Sequence, residues 1–127
     1  MLKRLDNIGV ATRDVKRSYD FYTRVLGMQA GPLAEGASGF SPRLGDVALY
    51  VFATGGTGEP GRSEDYTNNP PGIDHLSFEV EDFDAAQREL ESRGVKFLQP
   101  PVGEPGQFRY RAFHDPDGNM LYVISHS

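Results

Sequence analysis

Apolar and polar positions alternate along residues 4–12 and again along 73–80, and each stretch leads into an Asp followed by apolar residues three or four apart. The first stretch predicts a strand over 4–12 and a helix capped by Asp14, with Val15, Tyr19, Tyr22, Val25 and Leu26 as its apolar positions and Gly27 as its stop. Extended segments are expected at 28–33, 38–44 and 47–53, separated by Gly-Pro, Glu-Gly and Gly-Asp turn signals. The second stretch predicts a strand over 73–80, a helix capped by Asp82 that carries Phe83, Ala86 and Leu90, and a stop at Gly94. Strands near 95–99 and 107–113 follow, and Asp115-Pro116-Asp117-Gly118-Asn119 has the turn chemistry to return the chain into a last strand over 119–125.

The two halves are copies of one unit. Leu5 to Thr12 and Gly72 to Val80 share a pattern that places Asn7 opposite His75, an offset of 68 residues (75 − 7), and Leu49-Tyr50-Val51-Phe52 matches Leu121-Tyr122-Val123-Ile124. Each half reads as βαβββ, so the fold class is α+β, with two tandem βαβββ modules whose small curved sheets can enclose one shared cleft. One domain spans 1–127: module one at about 1–54, a Gly- and Pro-rich linker at about 55–71, and module two at about 72–127. Arg62, Asp65 and Tyr66 in that linker are candidates for a lid.

Side chains alternate across a strand, which sorts each strand into two faces. One face is apolar throughout: Ile8, Val10, Val47, Leu49, Val51, Leu76, Phe78, Val80, Leu121 and Val123. The other carries Asn7, Tyr50, Phe52, His75, Ser77, Glu79, Met120 and Tyr122, the mixture of aromatic and sparse polar groups expected of a ligand cleft, although a solvated face or a dimer interface has a similar composition. His75 has two readings: a polar contact or acid–base group near neutral pH, or a buried imidazole kept for its hydrogen bonds. Arg109 and Arg111 share one face of their strand and are added to the cleft as partners for an anion, with pairing to surface acids as the alternative.

Composition narrows the classes. The chain has 13 basic and 18 acidic residues, a formal charge of −5 and no long basic run, so nucleic-acid binding is not expected. No apolar stretch approaches the roughly 18 residues of a membrane span, and the absence of Cys removes disulfides and thiolate chemistry. A cytoplasmic location without membrane partners is the expectation.

The segments LDNIGVATRDVKRSYDFYTRVLGM, GIDHLSFEVEDFDAAQRELESRGVKF and FHDPDGNMLYVIS together resemble the vicinal oxygen chelate superfamily of glyoxalase I, extradiol dioxygenases and bleomycin-resistance proteins. The resemblance covers essentially the whole chain and implies two βαβββ modules forming an open, barrel-like cleft, commonly in a homodimer. It also implies a divalent-metal site in the catalytic members, built from a His at the start of a module's first strand and a Glu on its closing strand. Here those positions hold Asn7, His75, Tyr50 and Tyr122, so only one expected ligand remains and no resident metal or other cofactor is expected. The expectation is therefore a metal-independent protein of the glyoxalase/bleomycin-resistance type that binds an aromatic or cationic small organic molecule, with His75 the candidate catalytic group should it be an enzyme. A glyoxalase-like lyase or isomerase, an extradiol-type dioxygenase with a displaced metal site, and a non-catalytic interaction domain are the alternatives.

Overall fold

Short β-branched and aromatic runs form the strands, and each helix starts where an Asp side chain can accept a backbone N–H. The computed structural model describes residues 1–127. In chain order they form β1 (Ile8–Thr12), α1 (Val15–Asp20), β2 (Gly39–Phe40), β3 (Arg43–Leu44), β4 (Val47–Ala53), β5 (Leu76–Glu79), α2 (Phe83–Ser92), β6 (Arg109–His114) and β7 (Met120–Ser125). They divide into two units, Met1–Gly58 and Glu59–Ser127.

In the first unit β4 is the central strand. It pairs in parallel with β1, from Ile8 with Leu49 to Thr12 with Ala53, and antiparallel with β2 and β3. Asp14 caps α1 by accepting from the Arg17 amide at 3.0 Å. The helix then widens into a π-helical turn over Phe21–Val25, in which the Leu26 amide reaches the Phe21 carbonyl at 3.0 Å. Tyr22, Met28, Phe40, Leu49 and Val51 are buried, and burial of an apolar side chain of this kind stabilises by about 1.5–3 kcal/mol. The hydroxyls of Thr12 and Ser18, both fully buried, meet at 2.6 Å and tie β1 to α1. Val47, expected on the buried face, is half-exposed at the start of its strand.

The second unit repeats the plan with one strand fewer. Its central strand β7 pairs in parallel with β5, from Leu76 with Leu121 to Glu79 with Ile124, and antiparallel with β6, from Arg109 with Ser125 to His114 with Met120. Asp82 caps α2 by accepting from Ala85 N at 3.0 Å, and Gly94 leaves the helix at φ 96°. Phe83, Leu90, Phe113, Leu121 and Val123 are buried. The turn into β7 forms as its sequence dictates. Asp115 Oδ1 accepts from the amides of Asp117 and Asn119 at 2.9 and 2.8 Å, and Gly118 takes φ 88°.

Three expectations are corrected. Strands do not extend over 4–7 or 73–75, because in both sheets pairing with the central strand begins one position after Asn7 and His75. The segments at 28–33 and 95–99 are not strands. Gln29 makes a single bridge to Arg43, and Leu98 donates to the Ala112 carbonyl at 2.9 Å. Pro32, Pro100 and Pro101 lack the N–H that a longer ladder would need. Residues 59–71, expected as a linker, form part of the second unit. Ser63 N donates to Asn69 Oδ1 at 2.9 Å and Asn69 Nδ2 returns to the Ser63 carbonyl at 3.0 Å, which closes the segment into a loop around a single 3-10 turn at Tyr66–Asn68.

Candidate functional site

Tyr66, His75, Phe108, Tyr110 and Tyr122 of the second unit gather on the face of its sheet opposite α2. His75, just before β5, and Tyr122 of β7 stack with ring centroids 3.9 Å apart at 17°, and Tyr122 stacks in turn on Tyr110 of β6 at 5.1 Å and 15°. Tyr66, from the loop over 59–71, stands 6.4 Å from both His75 and Tyr110. Phe108 lies 5.9 Å from Tyr110 and 5.4 Å from His126. Tyr122 is buried over Met120 and Ala112, whereas Tyr66 and Phe108 are exposed, so the row has a fixed floor and accessible ends. Ser77 and Glu79 belong to the same face of β5 and are exposed.

Hydrogen bonds fix the polar groups of this face. His75 Nδ1 lies 2.7 Å from Asp74 Oδ2, while Asp74 Oδ1 accepts from Asn69 Nδ2 at 2.8 Å and faces the Arg62 guanidinium at 3.7 Å. Arg62 is held in turn by the Pro70 carbonyl. The bond from His75 holds the Asp74 carboxyl below the usual range, helped by Asn69 and Arg62 and opposed by burial. Burial pushes the Tyr122 phenol up to about 12, with Asp74, Tyr110, Tyr66 and Glu64 adding to the rise. Tyr110 is also raised, by burial first and then by Tyr66 and Asp65.

The first unit holds the counterpart. Tyr50 and Phe52 stack at 5.5 Å and 20° on the corresponding face of β4. The aromatic pair fits because its neighbours are small. Tyr50 pairs with Gly9 and Phe52 with Gly39, and a Cβ on Gly39 would come within 2.7 Å of the Val51 carbonyl and 3.2 Å of the Tyr50 hydroxyl. Asn7 is exposed and its amide donates to Asp6 at 2.9 Å.

Met1–Gly58 and Glu59–Ser127 each carry a Tyr on the central strand with a small residue paired to it, Gly9 to Tyr50 and Ala112 to Tyr122, and comparison with known proteins gives the chain a family. A model of the Glyoxalase/Bleomycin resistance protein/Dioxygenase superfamily matches residues 4–123. The chain belongs to that superfamily. It is 31% identical to "Glyoxylase I 4" of Arabidopsis thaliana over 132 aligned positions, covering 98% of this chain and 71% of that protein. It is 32% identical to the uncharacterized protein YaeR of Escherichia coli (strain K12), covering 94% of each. Among solved structures, a glyoxalase/dioxygenase from Nostoc punctiforme superposes with a TM-score of 0.79 over 98% of this chain and 92% of that one; at 20% identity the likeness speaks for the fold.

Two expectations about site residues change. Arg109 and Arg111 share a face, as alternation requires, but it is the α2 face: Arg111 pairs with Val123, whereas Ala112 pairs with Tyr122. Arg109 lies 4.4 Å over the Phe83 ring and 3.5 Å from Asp84. Arg111 lies 4.6 Å over Phe97 and donates to the Gln99 carbonyl at 2.6 Å and to Gln87 Oε1 at 2.7 Å. Met120 is a floor residue, 2% exposed, and offers no contact surface. Sequence reasoning passed over Asp74, although an acid directly before a His at a strand entrance was the available signal.

Dioxygenases in this superfamily's description raise the question of a resident metal. A catalytic site of that kind takes about three N, O or S donors. No group of three His, Asp or Glu side chains lies close enough to hold an ion. His75 contributes one imidazole to this face, stacked on the Tyr122 ring. No helix is long and apolar enough to cross a membrane.

Proposed function

We propose that the protein binds a flat organic molecule, aromatic and preferably cationic, on the ring-lined face of the second unit, without a divalent metal. The observation that carries this reading is the row Tyr66, His75, Tyr122, Tyr110 and Phe108, with its stacked centre and exposed ends. Planar ligands gain from offset stacking, and a positive charge over a ring gains about 0.5–2 kcal/mol more. The carboxylates of Asp74, Glu64 and Asp65 act on the Tyr122 and Tyr110 phenols and add negative potential there. Bleomycin-resistance proteins stand beside enzymes in the superfamily's description, which agrees with a binding role. A homodimer rests on the resemblance, and sedimentation velocity decides it.

Titration calorimetry of 4-aminoquinoline (flat cation), 1-naphthalenesulfonate (flat anion) and spermidine (flexible cation) tests the ligand class. The flat cation should bind tightest and weaken in Phe108→Ala. Failure of the flat cation to bind, or the same affinity in Phe108→Ala, refutes the reading. Elemental analysis of purified protein tests the metal clause, and near-stoichiometric zinc, nickel, manganese or iron refutes it.

A second reading is favoured by the 2.7 Å contact between Asp74 and His75: a lyase or isomerase using the imidazole as a metal-free acid and base. Turnover that persists in EDTA and disappears in His75→Ala would establish it over simple binding.

A further inference from the structure

Asp74 sits in a network with no evident role in holding the sheet, since it precedes the first paired residue of β5. All its contacts orient it. One oxygen takes the Asn69 amide at 2.8 Å and faces Arg62 at 3.7 Å, and the other lies 2.7 Å from His75 Nδ1. Asn69 is pinned by two bonds to the Ser63 backbone, and Arg62 by the Pro70 carbonyl. The carboxylate therefore has little freedom to turn away from the imidazole.

An ionised carboxylate can only accept, so the proton between Asp74 and His75 belongs to Nδ1. A neutral imidazole protonated on Nδ1 has a lone pair on Nε2. The ring plane is set separately by the stack on Tyr122 at 3.9 Å and 17°, and no residue of the chain hydrogen-bonds Nε2. Two independent constraints, one on the proton and one on the plane, thus present a single directed acceptor on the aromatic face.

We propose that Asp74 is a positioning residue that holds His75 in its Nδ1–H form, so that Nε2 accepts a hydrogen bond from the edge of the bound ring and the site selects flat ligands carrying an N–H or O–H donor. The selectivity rests on the aromatic-ligand reading above; the tautomer does not.

Nitrogen-15 NMR of the histidine side chains tests the tautomer with no ligand present. In the unaltered protein above neutral pH, His75 should show a protonated Nδ1 and an unprotonated Nε2. Asp74→Ala should shift the ring toward the Nε2–H form, and Asp74→Glu should restore part of the original signature. An Nε2–H signal in the unaltered protein overturns the proposal even if neither variant folds, and so does an unchanged tautomer in a folded Asp74→Ala.

The second arm compares 4-aminoquinoline with 1-methyl-4-(dimethylamino)quinolinium, which keeps the charge and the flat ring system but carries methyl groups in place of every N–H; the Asp74→Ala comparison separates the lost hydrogen bond from the added bulk. The donor-bearing probe should bind about tenfold or more tightly, as expected when one hydrogen bond to a charged donor is gained, and Asp74→Ala should abolish the difference. Equal affinities overturn the selectivity and leave the aromatic-ligand reading standing. Binding of neither probe overturns both of those, and the tautomer is still decided by the spectra.

Discussion

Replacing Tyr122 with Phe removes one hydroxyl from the floor of the aromatic row and tests how that floor is built. The hydroxyl donates to the Glu64 carbonyl at 3.4 Å, beyond the usual range for an O–H donor, so its loss should cost less than about 1 kcal/mol at pH 8. Alkaline solution should reverse the order. The Tyr122 phenol rises from 10.0 to about 12, chiefly through burial, so the folded chain keeps a proton that the unfolded chain gives up. A raised folded value means that the stabilisation is complete below the unfolded pKa of 10.0 and is lost as pH climbs through about 12. Two pH units correspond to about 2.7 kcal/mol at the limit and to about 1.4 kcal/mol at pH 11. The Phe variant has no such proton to lose. Urea unfolding of both proteins at pH 8 and 11 isolates this effect, since the other tyrosines contribute equally to each. The stability difference should move by about 1.4 kcal/mol in favour of Phe between those two pH values. An unchanged difference would mean that the phenol is in contact with water, and the account of a dry floor would fail.

Three further outcomes are expected. Gly39→Ala places a Cβ 2.7 Å from the rigid Val51 carbonyl and should destabilise the first unit by about 1–3 kcal/mol in thermal melts, with disturbed Tyr50 ring signals. Asp115→Ala removes the acceptor of the Asp117 and Asn119 amides and of the Asn119 side chain at a buried turn, and chemical denaturation should show a loss of about 2–4 kcal/mol. His75→Ala, at a part-exposed position ahead of the paired strand, should leave the circular dichroism spectrum intact while weakening the flat cation by about tenfold.

Local chemistry was legible in the sequence wherever one residue decides it. Asp14, Asp82, Gly94 and the Asp115–Asn119 turn each behave as their side chains require. The common face of His75 and Tyr122 was also legible, because each alternates in its own strand with apolar residues, Leu76 and Phe78 or Leu121 and Val123, that mark the opposite face. Parity across strands needs register. Arg109 and Arg111 were assigned to the wrong face because β6 was read alone; counting back from the turn, where Asp115 bonds Asn119, pairs Arg111 with Val123 and settles the face. The loop over 59–71 looked structureless because its order comes from Ser63 bonding Asn69, Arg62 bonding the Pro70 carbonyl, and Asn69 and Arg62 both reaching Asp74, a network with no periodic signature.

In each unit the strand that joins the others comes last in the sequence order of that unit, and its parallel partner lies some 41 or 45 positions earlier (Ile8 with Leu49, Leu76 with Leu121). Ribosomal synthesis therefore releases β5, α2 and β6 before anything exists to align them, and a chain stalled or clipped ahead of Met120 would leave two orphaned ribbons prone to pairing with strangers.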